Sequence, residues 1–133
     1  AGNSGPCTDC VGYPAVYDTV VAVGATTPSD TLSGYSSTGP EVEIAAPGGA
    51  SDGTDSTSIR SSVPGGYAYF NGTSMACPHV AGAAGQLMAN GYTNTETRNQ
   101  LNSTAENIGL ASNESGNGLL DTAAALGLDS SND

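Results

Sequence analysis

Lysine is absent from this chain, and only Arg60 and Arg98 oppose 13 acidic side chains, leaving a net charge of −11. A surface of that sign repels nucleic acid and anionic membrane, so neither is expected as a partner. Aromatics make up only 5% of the residues, so a core must be assembled mostly from Ala, Val and Leu. No apolar run approaches the roughly 20 residues that span a bilayer. The start carries no basic-then-apolar leader and no initiator Met. Ala1-Gly2-Asn3 opens without a polar lead-in, and the chain reads as a piece of a longer protein. Histidine occurs once, as His79. A catalytic base is therefore either His79 or lies outside these residues.

What is present is one modest domain's worth of chain: 133 residues, 37% of them hydrophobic, with 19 glycines that imply many tight turns. The acidity has two readings. One is a soluble secreted protein. The other is adaptation to high salt, where screening removes self-repulsion and carboxylates keep the surface hydrated. The complete lack of lysine favours the second. Of the three cysteines, Cys7-Thr-Asp-Cys10 is a C-x-x-C pair. One pair cannot close a zinc site. A thioredoxin-like motif would open a helix, whereas Gly5-Pro6 before the pair and Val11-Gly12-Tyr13-Pro14 after it make a loop. A short disulfide stiffening that loop in an oxidising compartment is the better reading. Cys77 is expected to be small and buried.

Thr19 to Ala25 is a β-branched run predicting a strand buried on both faces. Ser29–Gly39 is a polar loop, and Glu41–Gly48 alternates into a second strand that stops at Pro47-Gly48. Gly49–Gly66 reads as a mobile surface loop, and Tyr67–Phe70 as a short buried strand. Thr73 is placed to cap the following helix, whose core face would be Ala76, Val80, Ala81, Ala84, Leu87 and Met88. That helix ends near Asn90-Gly91. Thr93-Asn-Thr-Glu96 is a capping box opening a second helix with Leu101 and Ala105 inward. The stretch from Gly109 to Asn117 reads as loop. Gly118–Gly127 holds a third short helix closed by its glycine, and 129–133 is a frayed polar tail.

The stretch around which everything turns is Phe70-Asn-Gly-Thr-Ser-Met-Ala-Cys-Pro-His-Val-Ala-Gly82. It sets Ser74 in the first turn of an apolar helix, where the backbone N–H lacks an intrahelical partner and the positive end of the macrodipole lies close by. A nucleophile there has oxyanion stabilisation built into the backbone. His79 follows five residues later, some 140° around the helix at about 3.6 residues per turn, so it cannot take the Ser74 proton.

This segment resembles the active-serine signature of the subtilisin-like serine proteases, Gly-Thr-Ser-Met-Ala-x-Pro-His-Val-Ala-Gly. Every fixed position matches, with Cys77 at the variable one. The resemblance implies an α/β fold with a mainly parallel sheet flanked by helices, the serine helix central. Residues 1–128 would be the C-terminal part of such a peptidase domain. It implies a serine endopeptidase acting through an acyl-enzyme on polypeptide substrates, secreted and monomeric, with the triad Asp and His outside this chain and His79 packed structurally behind the serine. Ser74 would be the nucleophile and the Asn3 amide an oxyanion donor, with Thr73 supporting it. Ala1 and Gly2 would wall, and Gly12 floor, the pocket that takes the residue before the scissile bond, called here the acyl-side pocket. Pro14 is a cis candidate, following an aromatic in a tight turn. The chemistry needs no cofactor. The resemblance further implies a weak structural Ca²⁺ or monovalent cation held by Glu41, Glu43 and the carbonyls of Ala15, Tyr17 and Val20. Two solvated carboxylates on a strand edge would leave the same pattern.

Two other classes compete with this resemblance. An α/β-hydrolase elbow, Gly-x-Ser-x-Gly, has Ala76 where its last glycine belongs and no later histidine at usable distance. A non-catalytic acidic module binding cations or surfaces explains the charge but not the serine signature.

Overall fold

The computed structural model describes residues 1–128; the tail expected at 129–133 lies outside them. Two strands pair in parallel, β1 (Ala22–Thr26) and β2 (Val42–Pro47). Every β1 residue is buried, but the strand starts later than its β-branched run: Thr19 is exposed and Val20 and Val21 are half-buried, all three before β1. Beyond β2, the segment around Gly116–Leu120 adds bridges from Ile44 to Gly116 and from Ala45 to Leu119. Gly116 sits at φ 59° and a Cβ there would overlap the Glu43 carbonyl, so this approach requires glycine.

Helix α1 (Thr73–Ala89) packs across both strands, flanked by α2 (Asn94–Thr104), with short turns α3 (Ser112–Ser115) and α4 (Thr122–Ala125) completing the order. The core joins Val23, Ala25, Ile44 and Ala46 of the strands to Ala76, Val80, Ala83 and Leu87 of α1, Leu101 of α2 and Ala125 of α4. The capping box of α2 forms as expected: Thr93 Oγ1 accepts from Glu96 N–H at 3.3 Å, and Glu96 Oε2 accepts from Thr93 N–H at 2.8 Å. Gly127, at φ 71°, ends α4. The Tyr13–Pro14 peptide is cis.

Several expectations are corrected. The stretch 49–66 is not all loop: β3 (Ile59–Val63) pairs antiparallel with β4 (Gly66–Phe70), the two joined by Pro64-Gly65 with Gly65 at φ 87°. Proline followed by a left-handed glycine is turn chemistry, not only a break. Nor is β4 buried, with Tyr67 67% and Phe70 50% exposed. Tyr67 gains only a cation–π contact on the hairpin, the Arg60 guanidinium lying 4.3 Å from its ring centre. α3 lies where loop was read. On α1, Ala81, Met88 and Cys77 are exposed. They line an open groove of about 490 Å³ that also touches Val21 and Val23. The groove runs between α1 and α2, with Thr97, Arg98 and Leu101 across from Ala81 and Met88, so this flank of α1 is lined but left open. Periodicity marks both apolar faces alike and cannot say which one is packed.

Candidate active site

The sharp turn between β4 and α1 delivers Ser74 to the surface. Gly72, not Thr73, is the N-cap of α1; Thr73 is its first helical residue and is buried. The cap comes from 70 residues away. Asn3 Oδ1 accepts from the Thr73 N–H at 2.9 Å and from the Thr73 hydroxyl at 3.1 Å. The same hydroxyl accepts from Gly2 N–H at 3.2 Å. A local cap at Thr73 would have accepted from an N–H further into the helix; here the Thr73 N–H itself is the orphan donor, and Asn3 satisfies it.

The consequence is chemical. With its oxygen committed to Thr73, the Asn3 amide directs its NH₂ elsewhere, and that group has no acceptor among the described residues. The Ser74 N–H likewise has none. These two donors flank one small space: a Cβ built on Gly72 would lie 3.4 Å from Asn3 Nδ2 and 3.6 Å from Ser74 N. Glycine keeps that space open. Two free donors converging beside an exposed hydroxyl suit an oxyanion that develops as the hydroxyl attacks.

Ala1, Gly2 and Gly12 come together, the Gly12 N–H donating to the Ala1 carbonyl at 2.8 Å. Gly2 lies at φ 120°, and a Cβ there would meet Ser37 Oγ at 2.9 Å. His79 is exposed, its Nδ1 2.8 Å from the Met75 carbonyl one turn back. It does not pack behind the serine, because its own helix holds the ring at the surface. Cys77 is a free, exposed thiol rather than a buried one. Cys7 and Cys10 are disulfide-bonded.

Sequence reading missed the bed beneath this site. Ser33, Ser36, Ser37 and Thr38 belong to a loop that looks like surface but are buried. Each hydroxyl has a backbone partner: Ser33 donates to the Gly49 carbonyl, Ser36 accepts from Ala25 N–H, Ser37 from Ser4 N–H, and Thr38 donates to the Cys7 carbonyl. Tyr35 adds its hydroxyl to the carbonyls of Gly48 and Gly49, at 2.7 and 2.8 Å. Small hydroxyl residues can be buried if every polar atom is paired, and composition holds no sign of that pairing.

Of the residues suggested for a cation, Glu43 is already engaged. Glu43 is gripped by Arg98, with Nε 2.7 Å from Oε1 and Nη2 2.6 Å from Oε2, and Asn102 donates to Oε1 at 2.7 Å. Arg98 also donates to the Asp18 carbonyl at 2.7 Å. The Tyr17 carbonyl accepts from Val20 N–H, and Glu41 is exposed. A guanidinium thus takes the carboxylate that a metal would need. Burial alone would raise the Glu43 pKa. The bonds from Arg98 and Asn102, with the Arg98 charge, outweigh it and hold the carboxyl below 4.5. A depressed folded pKa stabilises the folded state above the unfolded value, and that contribution fades as pH falls through the folded one. Arg98→Gln strands a carboxylate whose side chain is only 14% exposed and is expected to cost about 1–3 kcal/mol near neutral pH. Urea unfolding across a pH series checks this: the gap to the parent protein should narrow as pH falls and Glu43 protonates, first in the variant and then in the parent protein.

An exposed serine at the start of α1, with two free donors beside it, has the arrangement that a serine nucleophile would need. The chain belongs to the Subtilase family, whose model matches residues 1–120. Among its relatives, subtilisin from Bacillus pumilus is 43% identical over 130 residues, covering 94% of this chain and 44% of its own length. Subtilisin E of Bacillus subtilis is 44% identical, covering 94% and 32%. The halolysin-like extracellular serine protease Nep of Natrialba magadii is 42% identical over 125 residues, covering 92% and 22%. A solved protease from Pseudoalteromonas arctica superposes with a TM-score of 0.85 at 31% identity, over 96% of this chain and 40% of that one. The chain therefore spans less than half the length of these relatives.

Proposed function

We propose that the protein carrying this chain is a secreted serine endopeptidase that cleaves polypeptides through an acyl-enzyme and works in high salt. Ser74 Oγ attacks the scissile carbonyl. Asn3 Nδ2 and the Ser74 N–H receive the oxyanion, and Thr73 holds Asn3 in place. The base that takes the serine proton and returns it to the leaving amine comes from outside these 133 residues, since His79 is bound to its own helix. Water then releases the acyl group by the same route. No cofactor enters these steps. Ala1, Gly2 and Gly12 line the acyl-side pocket.

The observation that carries this is the convergence of the Asn3 amide and the Ser74 N–H on the space beside Gly72. A charge of −11 without lysine supports the salt reading, and likeness to a protein named halolysin-like and extracellular supports both salt and secretion. Among the described residues no helix is long and apolar enough to cross a membrane. A non-catalytic acidic module would leave the serine and both donors without a use. The full-length protein is expected to be phosphonylated at Ser74 by a fluorophosphonate probe, located by peptide mass mapping. Labelling elsewhere, or none in protein that is folded by circular dichroism, would refute the peptidase reading.

A further inference from the structure

Residues 4–11 form the rim between the oxyanion amide and the pocket floor. Asn3 precedes the rim and is tied to Thr73; Gly12 follows it and is tied to Ala1. In between there is neither helix nor strand, and Ser4, Pro6, Thr8 and Asp9 are exposed. The rim has no large apolar side chain sunk in the core. Polar bonds to a single neighbouring segment, Tyr35–Thr38, hold it: Gly5 N–H to the Tyr35 carbonyl at 2.8 Å, Ser4 N–H to Ser37 Oγ at 3.1 Å, Thr38 Oγ1 to the Cys7 carbonyl at 2.6 Å, and Cys10 N–H to the Thr38 carbonyl at 2.9 Å. Both cysteines lie at the Thr38 end of this ladder. Between them Asp9 stands at φ 50°, a left-handed conformation that a residue with a Cβ adopts only when its surroundings impose it. The cross-link from Cys7 to Cys10 closes that turn.

We propose that the Cys7–Cys10 disulfide is a positioning element of the acyl-side pocket, holding the rim against Tyr35–Thr38 so that the pocket discriminates among substrates, and that opening it with a thiol loosens this selectivity. The inference rests on the peptidase reading. The oxyanion amide is held separately by Thr73, so the rim acts on substrate fit more than on the chemical step. Both cysteines are half-buried residues in an otherwise mostly exposed loop. Dithiothreitol transfers two electrons and two protons, leaving two cysteine thiols and its own cyclic disulfide.

The test uses the full-length protein, active-site titrated, with peptides that differ only in Ala, Leu or Phe before the scissile bond. On reduction, the spread of kcat/KM across the series should narrow by about tenfold, the scale of one pocket contact. KM for the best substrate should rise while kcat moves by less than about threefold. Reoxidation should restore the spread. The double variant C7S/C10S should show the narrowed spread with or without dithiothreitol, which separates this pair from every other cysteine. A merely stabilising cross-link would lower the titrated fraction or the Tm and leave the ratios between substrates unchanged. Unchanged ratios with Cys7 and Cys10 shown open by mass spectrometry, or wild-type ratios in C7S/C10S, would overturn the proposal. An oxidised protein that cleaves no peptide and takes no label at Ser74 would instead remove the peptidase reading, and this inference with it.

Discussion

Ser74→Ala in the full-length protein is expected to lower turnover about 10⁶-fold, the loss known for removing the nucleophile in a subtilisin rather than a magnitude obtained from this structure. The hydroxyl is exposed and sits on the first turn of α1, so its removal should leave the unfolding midpoint nearly unchanged. Peptide hydrolysis and thermal unfolding measured on the same preparation separate the two effects. Residual rate well above that floor would mean that another group can attack. The 133-residue chain alone is expected to be equally inert, because His79 is fixed to the Met75 carbonyl and cannot accept the serine proton. Measurable hydrolysis by the purified chain would count against the assignment of an external base.

Asn3→Asp is the second large effect and the more informative one. Aspartate keeps the oxygen that accepts from Thr73 N–H and Oγ1 but loses the NH₂ that faces the space beside Gly72. Turnover should fall at least about 10²–10³-fold, the known consequence of removing the equivalent donor in a subtilisin. Capping should survive, since aspartate caps a helix as well as asparagine does. Asn3→Ala removes both functions and should add a stability loss of about 1 kcal/mol. If Asn3→Asp loses stability but little turnover, the amide is a cap and not an oxyanion donor. Denaturant unfolding alongside steady-state kinetics on both variants decides between these outcomes.

The pair of variants matters because the two ends of the Asn3 amide differ: its oxygen holds Thr73 across 70 residues, and its NH₂ is left free among the described residues. Asn-Ser-Gly looks like ordinary turn chemistry. Thr73, next to an apolar helix, looks like the local cap. Both are reasonable from short-range rules, and both are displaced by a contact spanning 70 residues. Ala81 and Met88 show the same limit on α1. Their periodicity is sound, but helical spacing only states that a face is apolar. Aromatic content suggests that Tyr67 and Phe70 are buried, yet both stay exposed on the β3–β4 hairpin, Tyr67 with only the Arg60 guanidinium against its ring.

What could be read along the chain was whatever depends on neighbours a few residues apart. The serine at a helix entrance, the capping box at Thr93, the buried run into β1, the halt at Pro47-Gly48 and the acidity all follow from local backbone preference, side-chain period or simple charge count. The seating of the Asn3 oxygen on Thr73, the pairing of Glu43 with Arg98 and the burial of Ser33–Thr38 depended on the folded arrangement. Each is a hydrogen bond or ion pair between residues distant in sequence. Such a bond is chosen by where packing brings two polar groups once water has left, and no local rule contains that information.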